Sequence, residues 1–286
     1  MIALIGASGQ LGTDFKKILE TNQVVDLNYP EFDLTKIKTI EKSLLQQKPD
    51  MVINTAAYNL VDRAEDHPEE ALAVNHSGVE NLARVCAKFN LPLVHFSSDY
   101  VFGADTARKT PYTEEDNPDP INSYGLSKLK GERSVQKILS AYYLIRTSYL
   151  FGTAGSLGKG GNIVESLIEK GRKDKRLEVV DDQVISPTYT LDLARQVLKT
   201  IMTNKYGLYH VSSVDNCSIY EFASYIFECL NEQIDIVPIK SKDLSLPAKR
   251  PHYSVLENDK LDKLGLNIMR GWHESLKDYL VEKKYL

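Results

Sequence analysis

The sequence predicts an α/β protein with a Rossmann-like, doubly wound parallel sheet and a smaller C-terminal α/β substrate lobe. Short apolar runs alternate with amphipathic helical patterns in the first half, as in βαβ units. A glycine-rich turn follows the first run. From about residue 162 the alternation is less regular. We therefore predict a Rossmann-like domain over 1–150, to which some later segments return, and a smaller α/β lobe over 151–286.

The first unit has the signature of a nucleotide site. Its apolar run, residues 2–5, leads into Gly6-Ala7-Ser8-Gly9-Gln10-Leu11-Gly12, and a helical pattern follows. Glycines here let the backbone approach a pyrophosphate, whose charge then lies on the free N–H groups of the helix start. A plain strand-to-helix turn would also use glycine, but a motif that opens an alternating pattern favours nucleotide binding.

The second strand, predicted over 24–28, ends beside the expected adenosine ribose. An acid there would hold the ribose 2′-hydroxyl, and an arginine nearby would favour a 2′-phosphate. Asn28 is neutral and no arginine follows it. NADPH and NADH therefore both stay open, with NADPH slightly favoured. A helix is predicted over 37–47 with Thr35 as its N-cap, and Asp33 is either an adenine contact or a loop acid.

The third and fourth strands, predicted over 50–54 and 93–96, are each followed by small or polar residues. The third exits into Thr55-Ala56-Ala57-Tyr58, against which a cofactor could lie. A long helix is predicted over 68–89, where Asn75 is either a buried bridge or a surface residue. The fourth strand ends in Ser97-Ser98-Asp99-Tyr100, at the sheet edge where ligands gather. The alternative is a capped strand end.

Tyr124 and Lys128 lie four residues apart in a predicted helix. They would share one helix face, where the ammonium would favour the phenolate and lower the pKa of the tyrosine. Tyr-x-x-x-Lys alone is a common pattern, so its meaning depends on the residues around it. Farther along, Gly152, Gly155, Gly158, Gly160 and Gly161 predict a mobile loop, either a lid or a linker.

Composition excludes several classes of protein. Hydrophobic residues make up 42% and charged residues 26%, as in ordinary globular proteins, and no apolar run of about 18 residues predicts a membrane span. Met1 leads directly into an apolar segment without a basic region, so no secretory signal is expected. The net charge of −4, without a long basic run, argues against nucleic acid as a partner. Three cysteines without Cys-x-x-Cys spacing suggest the cytoplasm, and six scattered histidines predict no metal site.

Taken together, these motifs resemble those of the dTDP-4-dehydrorhamnose reductases, a family of the extended short-chain dehydrogenase/reductase superfamily. The resemblance covers nearly the whole chain. The segments that carry it are 6–12, 54–58, 96–102, 124–128, 146–149, 182–188 and 249–252. The last two are less generic than the glycine motif and favour this family over other branches.

The resemblance implies reduction of the C4 ketone of dTDP-4-dehydro-L-rhamnose to dTDP-L-rhamnose, the last step of dTDP-rhamnose biosynthesis, with NADPH or NADH. Tyr124 would donate the proton, Lys128 would lower its pKa and hydrogen-bond the nicotinamide ribose, and Ser98 would stabilise the carbonyl oxygen. By family position, the cofactor cleft comprises Gly6, Gly9, Gln10, Leu11, Gly12, Asn28, Asp33, Leu34, Ala56, Ala57, Tyr58, Phe96, Tyr124 and Lys128. The sugar-nucleotide pocket comprises Ser98, Asp99, Tyr100 and Tyr149.

Some positions depart from the family pattern. Ser98 stands where threonine is usual and keeps the hydroxyl, Tyr149 replaces a tryptophan, and Asn28 replaces the usual acid. Two alternatives stay open: a non-catalytic regulatory subunit resembling the methionine adenosyltransferase β subunit, and another sugar-nucleotide reductase, epimerase or dehydratase. Helices near 68–89 and 123–140 could pair in a homodimer.

Overall fold

The computed structural model describes residues 1–155 and 160–286, so Gly158 of the glycine-rich segment lies outside the described residues. The strands are β1 (Ile2–Ile5), β2 (Val24–Leu27), β3 (Met51–Asn54), β4 (Leu93–Phe96), β5 (Tyr142–Arg146), β6 (Leu150–Phe151), β7 (Arg176–Val180), β8 (Val184–Ile185), β9 (Thr188–Tyr189), β10 (Gly207–His210), β11 (Cys217–Ser218) and β12 (Asp235–Ile239). The α-helices are α1 (Gln10–Ile18), α2 (Ile37–Gln47), α3 (Arg63–Asp66), α4 (Pro68–Leu72), α5 (Val79–Phe89), α6 (Ser123–Ile138), α7 (Ile163–Asp174), α8 (Thr190–Ile201), α9 (Ile219–Cys229), α10 (Asp259–Lys263) and α11 (Trp272–Glu282). A π-helical turn covers Ala73–Gly78, and 3₁₀ turns cover Thr21–Gln23, Asp99–Val101 and Ser241–Asp243.

One parallel sheet has the strand order β10-β5-β4-β3-β1-β2. This confirms the predicted Rossmann-like fold. After β2 the chain crosses back over β1 to form β3, so the strand order reverses at β1. Such a reversal leaves a crevice at the carboxyl ends of β1 and β3, and ligands of open α/β sheets bind there.

Two apolar cores cover the two faces of this sheet. On one face, Leu4 and Ile53 pack with side chains of α1 and α8. On the other, Ala3 and Val52 pack with side chains of α2 and α5. Neighbouring strand residues therefore enter opposite cores, which explains why these strands read as continuous apolar runs.

Segments beyond residue 150 also contribute to the sheet layer. Strand β10 extends the sheet beside β5, and Leu193 and Val197 of α8 pack in the core that α1 covers. A third core, around Phe151, Phe222 and Trp272, lies in the C-terminal lobe. The boundary at residue 150 stays a prediction.

The predicted long helix over 68–89 is confirmed: α4, the π-helical turn and α5 follow one another without a break. Helix α6 packs closely against the π-helical turn: a Cβ at Gly131 would lie 2.2 Å from the carbonyl oxygen of Asn75. The turn directs the Asn75 side chain inward, where it is buried. The predicted N-cap of α2, by contrast, is wrong. Lys36 precedes the helix, and the Thr35 hydroxyl instead donates to Asp33 at 2.7 Å.

Candidate active site

The turn after β1 forms a tight backbone cradle. Gly6 has φ +75°, and a Cβ at Gly12 would lie 2.3 Å from the Gly6 carbonyl oxygen. Helix α1 begins after Gly9, which supplies no side-chain cap to the first N–H groups. These groups point to where an anion would lie. Gln10 Oε1 is buried there without a hydrogen-bond partner, and Leu11 packs inward in the core. The cradle fits the pyrophosphate of a dinucleotide.

The end of β2 lies against this cradle. Asn28 Oδ1 accepts hydrogen bonds from the Ser8 N–H and hydroxyl, both at 3.0 Å. Asp33 is paired with Lys36 at 3.0 Å, and hydrogen bonds from Thr35 and Lys36 help to hold its pKa below the ordinary value despite burial. Leu34 is buried in the core beneath. Of the three residues predicted to lie near the adenosine, Asn28 thus contacts the cradle, and their contact with a cofactor stays a prediction.

The segment after β3 forms the other side of the crevice. The Ala56 N–H donates to Asn54 Oδ1 at 3.1 Å, and Ala57 is exposed. Tyr58 is held at its backbone by Asn75, which accepts from the Tyr58 N–H and donates to its carbonyl oxygen, both at 2.9 Å. Asn75 also donates to Ser127 on α6 at 3.0 Å. Asn75 is therefore a buried bridge that ties the segment after β3 to α6.

Helix α6 brings the predicted tyrosine and lysine to the ends of β4 and β5. Tyr124, partly exposed, is hydrogen-bonded with Ser98, and its ring meets that of Tyr100 edge-on at 5.8 Å. Lys128 is buried, and its ammonium donates to the Phe96 carbonyl oxygen at 2.7 Å. The fold thus joins the hydroxyl cluster after β4 to the Tyr124–Lys128 pair.

The expected lowering of the Tyr124 pKa by Lys128 is not what this arrangement shows. Burial raises the pKa of Tyr124 to about 12, opposed by the Ser98 hydrogen bond, and the charge of Asp99 raises it further. Burial also lowers the pKa of Lys128 to about 8, against the attraction of Glu132. Tyr124 is consequently a neutral phenol at neutral pH, which is the state a proton donor requires.

Asp99 lies under this site and is 2% exposed. Its carboxylate accepts hydrogen bonds from three hydroxyls: Ser98 at 3.0 Å, Ser148 at 2.9 Å and Ser254 at 2.6 Å. Burial raises its pKa to about 6, although the three hydroxyls act in the opposite direction. At neutral pH Asp99 is an anion that orients Ser98 from below.

The raised pKa of Asp99 predicts a pH dependence of stability. The native state binds this proton more tightly than the unfolded state, whose reference pKa is 3.8. Below about pH 4 the protonated carboxyl group of Asp99 therefore contributes its full stabilisation of the folded state, and this contribution is lost as the pH rises towards 6. In urea titrations, the free energy of unfolding of Asp99→Asn minus that of wild type should increase by about 2 kcal/mol from about pH 4 to pH 7. A pH-independent difference would contradict the raised pKa.

The remaining predicted residue, Tyr149, lies near Arg250, whose charge also acts on Tyr100. Arg250 forms a bidentate ion pair with Asp62, in which both N–O distances are 2.7 Å. This pair joins the segment after β3 to the C-terminal lobe. Arg250 also lines a cleft of about 910 Å³. The basic residues of its wall are Lys240, Lys242, Lys249, Arg250 and His252.

Sequence reasoning missed several residues of this site. Ser148 and Ser254, which hold Asp99, are separated from it by 49 and 155 positions. Arg250 lies in segment 249–252, which carries the family resemblance but predicts no role for the arginine. The residues Ser97 and Thr147 also carry buried hydroxyls without hydrogen-bond partners, at the ends of β4 and β5. Their positions after predicted strands were the one available signal.

Within residues 1–155 and 160–286, no group of three or more His, Cys, Asp or Glu side chains could hold a metal ion. In the same ranges, no helix has both the length and the apolar character to cross a membrane.

Comparison with known proteins gives consistent matches over the full length. A family model described as the RmlD substrate binding domain matches residues 1–285. A dTDP-4-dehydrorhamnose reductase of Sinorhizobium fredii is 34% identical, covering 96% of this chain and 94% of the relative. The crystal structure of a dTDP-4-dehydrorhamnose reductase of Clostridium acetobutylicum is 38% identical, with a TM-score of 0.93 and 99% of each chain covered. That of Bacillus anthracis, in complex with NADP, is 35% identical, with a TM-score of 0.93 and 98% of each chain covered.

Proposed function

The chain belongs to the family of dTDP-4-dehydrorhamnose reductases, and from this premise we infer that it reduces dTDP-4-dehydro-L-rhamnose to dTDP-L-rhamnose with a nicotinamide cofactor. The observation that carries the inference is the meeting of Tyr124, Ser98 and Lys128 at the carboxyl edge of the sheet, beside the glycine cradle. A proton donor, a hydroxyl for the carbonyl oxygen and a cation thus border one crevice.

We propose that Tyr124 is the proton donor. A reduced nicotinamide, when bound, supplies hydride to the C4 carbonyl of the sugar. Tyr124, whose phenol is neutral at neutral pH, then protonates the developing alkoxide, which is far more basic than a phenolate. Lys128, held on the Phe96 carbonyl oxygen, would supply positive charge to hold the cofactor ribose.

Ser98 is proposed to stabilise the carbonyl oxygen. Without substrate its hydroxyl donates to Asp99 at 3.0 Å. The hydroxyl must therefore turn from Asp99 to the substrate oxygen to stabilise the charge that develops there. Asp99 keeps the hydrogen bonds from Ser148 and Ser254 during this rotation, so the buried carboxylate is not left unpaired.

For the cofactor, we propose a preference for NADPH. Asn28 Oδ1 is occupied by Ser8, which leaves the Asn28 amide N–H groups to donate to a 2′-phosphate. Lys36 is exposed and within electrostatic reach of Tyr29, the residue next to Asn28. An amide donor, next to a lysine that also neutralises the charge of Asp33, favours an anion over a 2′-hydroxyl. The ratio of kcat/KM with NADPH to that with NADH tests the preference, and a ratio below one contradicts it.

The basic cleft beside Arg250 is proposed to hold the nucleoside diphosphate of the substrate. Its wall combines four lysine or arginine cations and His252 with the apolar side chains of Leu244 and Leu246. Cations suit a diphosphate, and exposed aliphatic side chains suit the face of a base. Asn122, the N-cap of α6, donates to the Lys249 carbonyl oxygen at 2.8 Å, so the cleft adjoins the start of the helix that bears Tyr124.

Substitution of Arg250 tests this assignment. Arg250→Gln should raise KM for the sugar nucleotide about 10–100-fold, since the change removes a cation from the wall of the cleft together with its ion pair to Asp62. The dissociation constant for NADPH, measured by fluorescence titration, should not change. Arg84→Gln is the matched control, because Arg84 is an exposed arginine paired with Glu80 on α5. An unchanged KM, or an equal loss of cofactor affinity, would contradict the assignment.

We further propose that the enzyme works in the cytoplasm as a homodimer, without a metal ion and without nucleic acid or membrane partners. The cysteines are free thiols, which fits a reducing compartment. The dimer would pair the helices in 68–89 and 123–140 of two subunits. Light scattering of the purified protein tests the dimer, and a monomer at micromolar concentration would contradict it.

The deciding experiment mixes the protein with dTDP-4-dehydro-L-rhamnose and either NADPH or NADH and follows loss of reduced nicotinamide absorbance. Formation of dTDP-L-rhamnose with stoichiometric cofactor consumption is expected. No consumption with either cofactor would overturn the reductase function. An epimerase or dehydratase would instead carry a tightly held cofactor and consume none, and a regulatory subunit would show no turnover and a stoichiometric synthetase partner.

A further inference from the structure

Helix α6 carries a third ionisable residue on the face that bears Tyr124 and Lys128. Glu132 follows Lys128 by four residues and is 1% exposed. Its two oxygens accept from Arg146 at the end of β5, with distances of 2.9 Å to Nε and 2.8 Å to Nη2. This ion pair couples α6 to the sheet directly behind the candidate active site.

The surroundings of Arg146 fix the pair in one place. Arg146 is 3% exposed, and its guanidinium lies 5.1 Å from the centre of the Phe102 ring. Its Nη1 contacts Nε2 of His210 on β10 at 3.4 Å. Burial and the charge of Arg146 lower the pKa of His210 to about 3, so this histidine is neutral. The carboxylate is thus held by one cation and lies one helical turn from a second, Lys128, which its charge attracts.

Stability alone is a weak explanation for this arrangement. A buried ion pair costs desolvation energy, and apolar residues of similar volume are often as stable. Lys128, however, is buried too, and burial favours its neutral form. The attraction of Glu132 opposes that effect. A carboxylate in this place therefore acts on the charge of the lysine.

We propose that Glu132 is a positioning residue which, clamped by Arg146, keeps Lys128 charged and seated on the Phe96 carbonyl oxygen. The proposal rests on the proposed function, because the charge on Lys128 matters there for holding the cofactor ribose. Glu132 itself need not touch substrate or cofactor.

Other ionisable groups also approach α6 from the elements packed against it. They are His95 on β4, Asp99 in the 3₁₀ turn, Arg146 on β5, His76 in the π-helical turn, Glu65 on α3 and, on α6 itself, Tyr124. His95 is buried, and burial together with Lys128 lowers its pKa well below 6.5, so it is neutral at neutral pH. Among these groups, Glu132 is the carboxylate that favours the Lys128 ammonium.

The test is an NMR titration of lysine side chains in the unliganded, full-length protein, with Lys128→Arg identifying the Lys128 signal. Wild type should titrate near pH 8. Glu132→Gln should titrate about one unit lower, and Glu132→Asp, which keeps the carboxylate, should restore most of the difference. Glu80→Gln is the matched control, since Glu80 pairs with an arginine on the exposed side of α5, and it should leave the Lys128 signal unchanged.

Glu132→Gln leaves Arg146 buried without its partner, so the variant risks unfolding. The double variant Glu132→Gln/Arg146→Met removes both charges and should fold, with the Lys128 midpoint still below that of wild type. Cofactor affinity should depend on the same titration. In the variants, affinity for NADPH should fall as the pH rises through the Lys128 midpoint of each variant, which lies below that of wild type. A wild-type midpoint in a folded variant lacking Glu132 would overturn the proposal.

The two hypotheses fail in different ways. The titration needs neither substrate nor turnover, so a shifted Lys128 midpoint in a protein that reduces no sugar nucleotide would leave the Glu132 effect standing and remove the reductase function. Turnover of the sugar nucleotide, together with an unshifted Lys128 midpoint in the variants that lack Glu132, would support the reductase function and overturn the proposal for Glu132.

Discussion

Replacing Tyr124 by phenylalanine is expected to lower kcat for the reduction by about 10²–10⁴-fold. The change removes the hydroxyl that hydrogen-bonds with Ser98 but keeps the ring that meets Tyr100 at 5.8 Å. Because burial keeps the pKa of Tyr124 at about 12, the phenol is protonated across the neutral range, and its loss removes the acid itself. The packing around Lys128 should stay as it is, since its bond goes to a backbone carbonyl.

Steady-state kinetics with both substrates saturating measures this effect, and fluorescence titration measures NADPH affinity in parallel. Affinity should change little, so the loss should lie in kcat. Tyr206→Phe provides the matched control, because Tyr206 immediately precedes β10 and so lies at the amino ends of the strands, away from the candidate site. This variant should retain full activity. Wild-type turnover in Tyr124→Phe would refute the assignment of Tyr124 as the proton donor.

Replacing Gly125 by alanine should damage both stability and activity. A Cβ at Gly125 would lie 2.0 Å from the Tyr100 carbonyl oxygen and 3.1 Å from Cβ of Pro120. The backbone cannot yield locally, so α6 must move away from the 3₁₀ turn that carries Asp99 and Tyr100. We expect a loss of about 1–3 kcal/mol in the free energy of unfolding. Separation of Tyr124 from Ser98 should lower kcat about 10²-fold.

The direction of this prediction is informative. Alanine has a helix propensity about 0.8–1 kcal/mol better than glycine, so without the close contact the variant would be more stable than wild type. Urea unfolding and kcat should be measured on the same preparation. Gly161→Ala is the control, since a Cβ there would lie 3.4 Å from Glu165 Oε2, and it should be nearly neutral. A Gly125→Ala variant with unchanged or raised stability would show that α6 does not approach the turn so closely.

Much of the fold was predictable because buried parallel strands and amphipathic helices have distinct periodicities. The helix over 37–47 has the bounds that the sequence predicts, and the parallel sheet agrees with the alternation of strands and helices. The π-helical turn at residues 73–78 was not predictable, because it accompanies the close approach of Gly131 and the inward bonds of Asn75. The bonds of Asn75 to Tyr58 and Ser127 span 17 and 52 positions along the chain.

The candidate site was predictable in part for the same reason. Tyr124, Lys128 and Ser98 stand in local motifs, and their meeting follows from the rule that parallel strands end at one edge. Other contacts of the site join residues that no local motif connects. They are the hydrogen bonds of Ser148 and Ser254 to Asp99, the Asp62–Arg250 ion pair and the Glu132–Arg146 ion pair. The effect of Lys128 on Tyr124 was expected from spacing alone, and burial instead dominates the pKa of both groups.

The sequence by itself thus determined the family, the fold class and the chemical types at the crevice, since residue type and local spacing carry that information. Only the tertiary structure decided which group orients Ser98, which carboxylate faces Lys128 and what protonation state Tyr124 has. Burial and long-range partners set pKa values and hydrogen-bond direction, and both depend on the packing of segments that are distant along the chain.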